Sequence, residues 1–364
     1  GAETHATVIT IAESPIKPGL IWAGTDDGRV QVTRDDGGEW TDVRPNVSGV
    51  PAGLWVSRVV ASRYAEGRAY VTFDGHRSDN FGSWVVRTED YGATWSDISG
   101  NLPDEPVYVI VEDPKNADLL FVGTDRTVHV SLDGGRSWHE LKNELPTVPV
   151  HDLAIHPREN DLVVGTFGRG FYIADISPLQ ELTQEVMNSD VHFFRIEDKV
   201  QWVMPRQTAV ADQNFEGENE PHGAMLNYYL KSSIAGGVTL SIYDGATLIN
   251  ELEGPGNAGL NSVMWGMTRR GRKRTPEEVA RWDEEMQFGE PEPFYDYYDT
   301  NEFFGPPDDE VGRTGLSLRT RVQGEPGMEE RDYVLHRVQP GEYRVDLRAG
   351  TTILTQISVI LQDF

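Results

Sequence analysis

Through the first half of the chain, apolar and polar residues alternate in short runs separated by turns rich in Gly, Asp and Pro. Such runs predict half-buried strands, because successive side chains of a strand point to opposite faces. The first set is "TVITIAESP", "LIWAGTDDG" and "VQVTRDDGGEW", followed by "TDV". A later set, "YVIVEDP", "LLFVGTD", "VHVSLDGGRSW" and "HEL", keeps the same order. Between them stand "SRVVASRY", "RAYVTFDG", an insertion, "SWVVRTEDYGATW" and "SDI". Four strands in a unit of roughly 40–50 residues predict one blade of a β-propeller.

Each unit contains the string Ser/Thr-x-Asp-x-Gly-x-x-Trp, at 33–40, 88–95 and 131–138, so the intervals are 55 and 43 residues. The string predicts a turn between the third and fourth strands. Its Asp accepts backbone N–H groups, its Gly supplies a positive φ, and its Trp covers the hairpin with apolar area. Asp35, Gly37, Trp40, Asp90, Gly92, Trp95, Asp133, Gly135 and Trp138 are therefore assigned to structure rather than catalysis. A fourth copy starts at "VHDLAIHP" and ends at "RGFYIADISPL" without a box or a fourth strand. Three blades and most of a fourth fall short of a closed propeller. The expectation is that residues 1–180 are the C-terminal blades of a larger propeller, with the remaining blades supplied by an upstream segment or a separate chain. One strand of that partner is expected beside Gly170–Ala174.

The boxes resemble the Asp-box, or BNR, repeat of sialidases, tandem-propeller xyloglucanases and sortilin-type (Vps10) receptors. Together with "NLPDEPVYVIVEDPKNADLLFVGTD" and "ELPTVPVHDLAIHPRENDLVVGTFGRG", they resemble the C-terminal part of large bacterial sortilin-like or "glycosyl hydrolase" propeller proteins. The resemblance is close over about residues 1–180 and loose beyond. It implies an exported protein, in the periplasm, at the cell surface or outside the cell.

After Leu179 the repeat stops, and 181–222 reads as a connecting segment. Over 223–364, "MLNYYLKSS", "GVTLSIYDGATLINELEG", "GLNSVMWGM" and "GEYRVDLRAGTTILTQISVIL" alternate between Gly-rich turns, predicting a β-sandwich. It resembles the immunoglobulin and fibronectin type III domains that trail secreted bacterial enzymes and receptors. The fold class is thus all-β: a partial propeller followed by a sandwich.

The sandwich is interrupted by an insertion over 269–332. "RRGRKR" is followed by Thr275, Pro276 and Glu278, the cap, the first helical position and the position three residues after the cap of a helix start. Residues 276–310 hold 13 acidic residues and one Arg, interleaved with aromatic rings that a purely solvated tail would not carry. Either the rings pack the insertion onto the rest of the chain, or Trp282, Phe294, Tyr295, Tyr297, Tyr298, Phe303 and Phe304 form a docking arm for another chain. No cofactor is expected. Calcium held by Asp296, Asp299, Glu302 or Asp308 is the alternative, although their spacing matches no EF-hand loop.

Charge narrows the partners. With 59 Asp and Glu against 32 Lys and Arg, the net charge of −27 opposes nucleic acid and anionic membranes at long range. The sequence has no cysteine, which excludes disulfides, thiol catalysis and zinc-thiolate sites. No run of 18 apolar residues predicts a membrane span.

The most unusual polar loop is "FDGHRSDN", inserted between the second and third strands of the second blade. Asp74, His76, Arg77 and Asp79 would gather at one end of that blade as a ligand-binding or proton-transfer set, or Asp74 and Arg77 would pair to hold the loop. His151 and His156 flank a strand and read as hydrogen-bonded neighbours of their blade, and "GTFGRG" reads as a strand-to-strand turn. No sialidase-type Arg cluster with a Tyr–Glu pair is visible in any one segment. The reading is therefore a sortilin-like propeller module that binds protein or peptide partners. The alternatives are a glycoside hydrolase, its ligand a glycan and its catalytic residues partly on missing blades, or a structural subunit of an assembly.

Overall fold

The structure, a computed structural model, describes residues 6–142, 145–201, 222–288, 316–317 and 333–362. The chain divides into two compact units: residues 1–185 with 313–318, and residues 186–312 with 319–364.

Three antiparallel sheets of the first unit keep one strand order. Blade one is β1 (Val8–Glu13), β2 (Ile21–Thr25), β3 (Val30–Thr33) and β4 (Thr41–Asp42). Blade two is β5 (Trp55–Ala61), β6 (Ala69–Asp74), β7 (Trp84–Thr88) and β8 (Ser96–Asp97). Blade three is β9 (Val107–Glu112), β10 (Leu120–Thr124), β11 (Val128–Ser131) and β12 (His139–Lys142), and β23 (Leu316–Ser317) adds a short parallel strand beyond β12. Blade four has three strands, β13 (Val150–Ile155), β14 (Asp161–Thr166) and β15 (Phe171–Asp175), after which the chain turns into α1 (Ser177–Glu181). The inner strands β1, β5, β9 and β13 are neighbours in that order, so the blades fan out side by side. This is a propeller arc.

Side chains buried between the sheets hold the arc. Leu20, Trp22, Val32, Val56, Val59 and Val71 form one core, and Tyr70, Val85, Ile98, Ile110, Val122 and Trp138 form the next. Gly123 marks how closely blades three and four approach. A Cβ there would lie 2.7 Å from Val109 Cγ1, Val150 Cγ1 and the Val150 carbonyl oxygen.

The three boxes share one hydrogen-bond pattern. The hydroxyls of Thr33, Thr88 and Ser131 donate to Asp35, Asp90 and Asp133 at 2.7, 2.9 and 2.8 Å. The same hydroxyls accept from the N–H groups of Gly37, Gly92 and Gly135 at 3.0, 2.9 and 2.8 Å. Each Asp also accepts the N–H four residues on, at 3.0, 2.8 and 2.9 Å. The glycines take φ of +89°, +84° and +88°, a region open to them because they lack a Cβ. The tryptophans differ from expectation. Trp138 is buried and donates its indole N–H to the Ile98 carbonyl of blade two at 2.7 Å, and Trp95 meets Trp22 of blade one edge-on at 6.2 Å. The box fixes the turn in all three copies; the rings of Trp95 and Trp138 reach the preceding blade, while Trp95 also donates to its own Gly92 carbonyl at 3.1 Å and Trp40 stays beside its own Gly37.

The second unit has two facing sheets around one core. β16 (Val191–Phe193), β18 (Ala224–Leu230) and β21 (Gly259–Trp265) form the first sheet. β17 (Lys199–Gln201), β26 (Thr352–Gln362), β25 (Gly341–Ala349), β19 (Val238–Asp244) and β20 (Thr247–Gly254) form the second, in that spatial order. Leu226, Tyr228, Val263 and Trp265 from one sheet pack with Leu240, Ile242, Val345 and Leu347 from the other. β16 and β17 fall within the stretch read as a connector; β16 pairs antiparallel with β18 and β17 parallel with β26. The insertion is entered through a ribbon of β22 (Thr268–Lys273) and β24 (Tyr333–Arg337), which places "RRGRKR" largely on a strand. A helix over Pro276–Phe288 follows. Its start is a capping box: Thr275 N–H donates to Glu278 at 2.9 Å, Glu278 N–H donates back to Thr275 Oγ1 at 3.3 Å, and Arg272 grips the same carboxylate at 2.7 and 2.8 Å. Trp282 belongs to this helix, whereas Phe294, Tyr295, Tyr297, Tyr298, Phe303 and Phe304, with Asp296, Asp299, Glu302 and Asp308, lie outside the described residues.

Candidate functional site: a bulged row across the inner strands

Each of the four inner strands carries a β-bulge at the same place. Val8 and Thr10 pair with Thr25 and Gly24, so Ile9 is left over; Ser57, Tyr108 and His151 are left over in the same way. A bulge re-aims the extra side chain out of the ladder. One side chain per blade is thereby displayed where the inner strands begin.

Two of these residues join the loop singled out in the sequence. Asp74 ends β6 and the chain makes a 3-10 turn over His76–Ser78, closed by Asn80 N–H donating to the Gly75 carbonyl at 3.0 Å. Asp74 accepts the His76 backbone N–H at 2.9 Å and lies 2.7 Å from His76 Nδ1. That contact makes Nδ1 the donor, so Nε2 of a neutral ring is the acceptor. The His76 ring meets Tyr108 edge-on at 6.2 Å, Tyr108 stacks on His151 at 4.3 Å, and His151 stacks on Phe167 at 5.1 Å. His76, His151 and Phe167 are exposed. The result is a row of four rings over blades two to four.

Carboxylates steady the row. Tyr108 donates its hydroxyl to Asp125 at 2.9 Å. Burial, that hydrogen bond and the nearby negative charge push the phenol pKa up, so it stays protonated. Burial lowers the His151 pKa against the opposing pull of Asp74 and Asp125, which keeps the ring neutral at neutral pH. Beside His151, Asp152 pairs with Arg58 at 2.6 Å. Glu13, Arg58, Arg63 and Leu153 line a shallow open depression among the inner strands.

The loop candidates separate. Asp74 and His76 are together, but Arg77 does not pair with Asp74: its guanidinium lies 4.1 Å over the Trp55 ring, a cation–π contact. Asp79 takes the left-handed turn position with φ of 58° and is exposed. His156 serves its blade as read, accepting the Glu159 N–H at 3.2 Å, whereas His151 belongs to the ring row. Sequence reasoning missed Tyr108 and Phe167 and read His151 as a hydrogen-bonded neighbour of its blade. The available signal was the residue that follows Val8, Val56, Val107 and Val150 near the start of each inner strand, which runs Ile, Ser, Tyr, His. Among the described residues no group of three or more His, Asp or Glu side chains is placed to hold a metal ion.

Residues 83–195, which include Tyr108, His151 and Phe167 of the ring row but not His76, match the family described as "Sortilin, neurotensin receptor 3". This stretch is sortilin-like. No curated protein matches the chain significantly. Among solved structures it is similar to the GH74 xyloglucanase from Xanthomonas campestris, at 13% identity over 61% of this chain and 35% of that one, with a TM-score of 0.38. A GH74 enzyme from Niastella koreensis is similar at 12% identity over 71% and 38%, TM-score 0.39, and YCF48 bound to D1 peptide at 16% over 47% and 56%, TM-score 0.33. The chain therefore spans about a third to just over half of the length of these proteins. Among the described residues no helix is long and apolar enough to cross a membrane.

Proposed function

We propose that the chain is part of an exported, sortilin-like propeller module that binds a protein or peptide ligand along the row His76, Tyr108, His151 and Phe167. The observation that carries this reading is the exposed ring row, built on bulges that serve no ladder pairing. Rigid rings anchor ligands well because they bury much area while losing few rotamers. The carboxylates beside them are engaged in holding the rings: Asp74 on His76 and Asp125 on Tyr108. That favours recognition over glycoside hydrolysis, which canonically uses two carboxyl groups flanking one glycosidic bond.

Sugar rings also stack on such faces, and this supports the second reading, a glycoside hydrolase. Selection of a displayed peptide library on the chain, followed by titration against Tyr108→Ala, His151→Ala and Phe167→Ala, tests the first. Selected peptides should bind each variant at least about tenfold more weakly, the scale of a central interface side chain. Unchanged affinity in all three variants would remove the row. Turnover of a β-glucan or sialoside that Asp74→Asn abolishes would replace binding with hydrolysis.

A further inference from the structure

The ring row carries a charge pattern that follows the repeat. Each blade sets one residue opposite the position two before its bulged side chain: Asp26 faces Thr7, Asp74 faces Trp55, Asp125 faces Pro106 and Phe167 faces Pro149. Three of these are acids, and in blade four a ring takes the place and stacks on His151. Asp74 directs both oxygens at His76 Nδ1, at 2.8 and 2.7 Å. Asp125 is exposed and accepts the Tyr108 hydroxyl through Oδ1, so among the described residues Oδ2 accepts from no donor. Burial and then the charges of Asp125 and Asp74 raise the Tyr108 pKa, and burial lowers that of His151 against the upward pull of the same two carboxylates. Their field therefore extends along the rings. Asp79, exposed on the loop that holds His76, adds a third negative charge.

The cations near the row are engaged with other groups. Arg77 lies 4.1 Å over Trp55, Arg126 is 3.9 Å from Glu105 and Arg58 is 2.6 Å from Asp152. Arg169, exposed at the tip of the turn after Phe167, is the cation that opposes the acids. Phe167 is 71% exposed; His151 covers one of its faces, with the ring planes 25° apart, and the other is open. An open ring face and an exposed carboxylate both attract a cation. The chain's own arginines use such faces, as Arg77 does on Trp55 and Arg44 does 5.1 Å over Phe73.

We propose that the row takes a basic peptide, with a Lys or Arg side chain drawn to Asp125 and laid along the rings of His151 and Phe167. This rests on the reading of the row as a peptide site and adds the chemistry of the residue it selects. An acidic peptide is disfavoured, since Asp79, Asp125 and the net charge of −27 repel it.

The probes are peptides enriched from a displayed random library on the full chain, each synthesised again with its Lys and Arg residues replaced by Gln. The basic forms should bind at least about tenfold more tightly, and raising the salt from about 50 to about 500 mM should remove most of that difference. Asp125→Asn keeps an acceptor for the Tyr108 hydroxyl and removes the charge. It should weaken the basic form about tenfold and the Gln form by less than about twofold, whereas Arg169→Gln should strengthen the basic form by about two- to threefold. Peptides that lose affinity in His151→Ala and Phe167→Ala but hold no Lys or Arg, or that ignore Asp125→Asn, would overturn this inference and leave the row standing as a binding site. Peptides indifferent to His151→Ala and Phe167→Ala, or a library from which none is enriched, would overturn both.

Discussion

Replacing Glu112 with alanine isolates what one blade contributes to its neighbour. The carboxylate accepts the Ser62 hydroxyl at 2.8 and 3.0 Å, the Arg63 N–H at 2.9 Å and the Tyr70 hydroxyl at 2.9 Å, with the Arg68 guanidinium 3.9 Å away. Tyr70 is fully buried, so its hydroxyl would be left without a partner or water. An orphaned buried donor costs about 1–3 kcal/mol, and breaking a buried charged network costs about 3–5. Glu112→Ala should therefore destabilise the blade unit by about 4 kcal/mol, or roughly 10 °C in Tm for a unit of this size. Glu112→Gln, which keeps an acceptor oxygen and the shape, should cost about half as much. Glu13→Ala, at the same strand position but exposed, should lie within about 0.5 kcal/mol of the parent chain. Thermal unfolding followed by tryptophan fluorescence reports on this unit, because six of the nine tryptophans lie in the blades. Equal Tm values for Glu112→Ala and Glu13→Ala would refute the account of blade-to-blade attachment.

His129, buried on β11, supplies a pH dependence. Burial lowers its pKa to about 4, with Glu140 pulling weakly the other way, so the unfolded chain takes up a proton near pH 6.5 that the folded chain refuses. The linked stability is fully present above pH 6.5 and is lost as the pH falls toward 4, by up to about 3 kcal/mol; the stability gap between the parent and His129→Leu should shift by that amount over this window, and a gap independent of pH would refute a neutral buried imidazole. Asp133→Ala removes the acceptor of the Ser131 hydroxyl, the Ser137 N–H and the Ser137 hydroxyl at 2.8, 2.9 and 2.7 Å, and should cost about 1–2 kcal/mol in denaturant titration, with no loss expected in peptide affinity.

The blades were legible because the box is a local object. Its Ser or Thr, Asp and Gly close their hydrogen bonds within five residues, so the string reports its own geometry wherever it occurs. The alternation marked the strands but not their burial: β6, β10 and β11 are buried at every position, because both of their faces are covered. The ring row was not legible, because a bulge exists only in the pairing between strands: Val107 and Val109 have to be seen opposite the consecutive Thr124 and Gly123 before Tyr108 stands out. The loop 74–79 could be found from its polar residues, but not the division of labour within it. Arg77 goes to Trp55, a ring 22 residues earlier in the chain that the loop sequence does not announce. The direction of the box tryptophans was hidden for the same reason, since Trp138 finds its acceptor, the Ile98 carbonyl, 40 residues upstream.

The backward reach of Trp95 and Trp138 has a consequence for how such a chain can lengthen. A duplicated blade carries its own grip, in a Trp and an inner-strand aliphatic, and also the seat that its follower needs, in the buried side chains at the places of Trp22, Tyr70 and Phe121. Inserted anywhere in the array, it meets compatible surfaces on both sides, so copy number can drift without any interface being redesigned. The bulged residue travels with it as a blank position that no ladder hydrogen bond constrains. Growth of such an array and change at its bulged positions can then proceed separately.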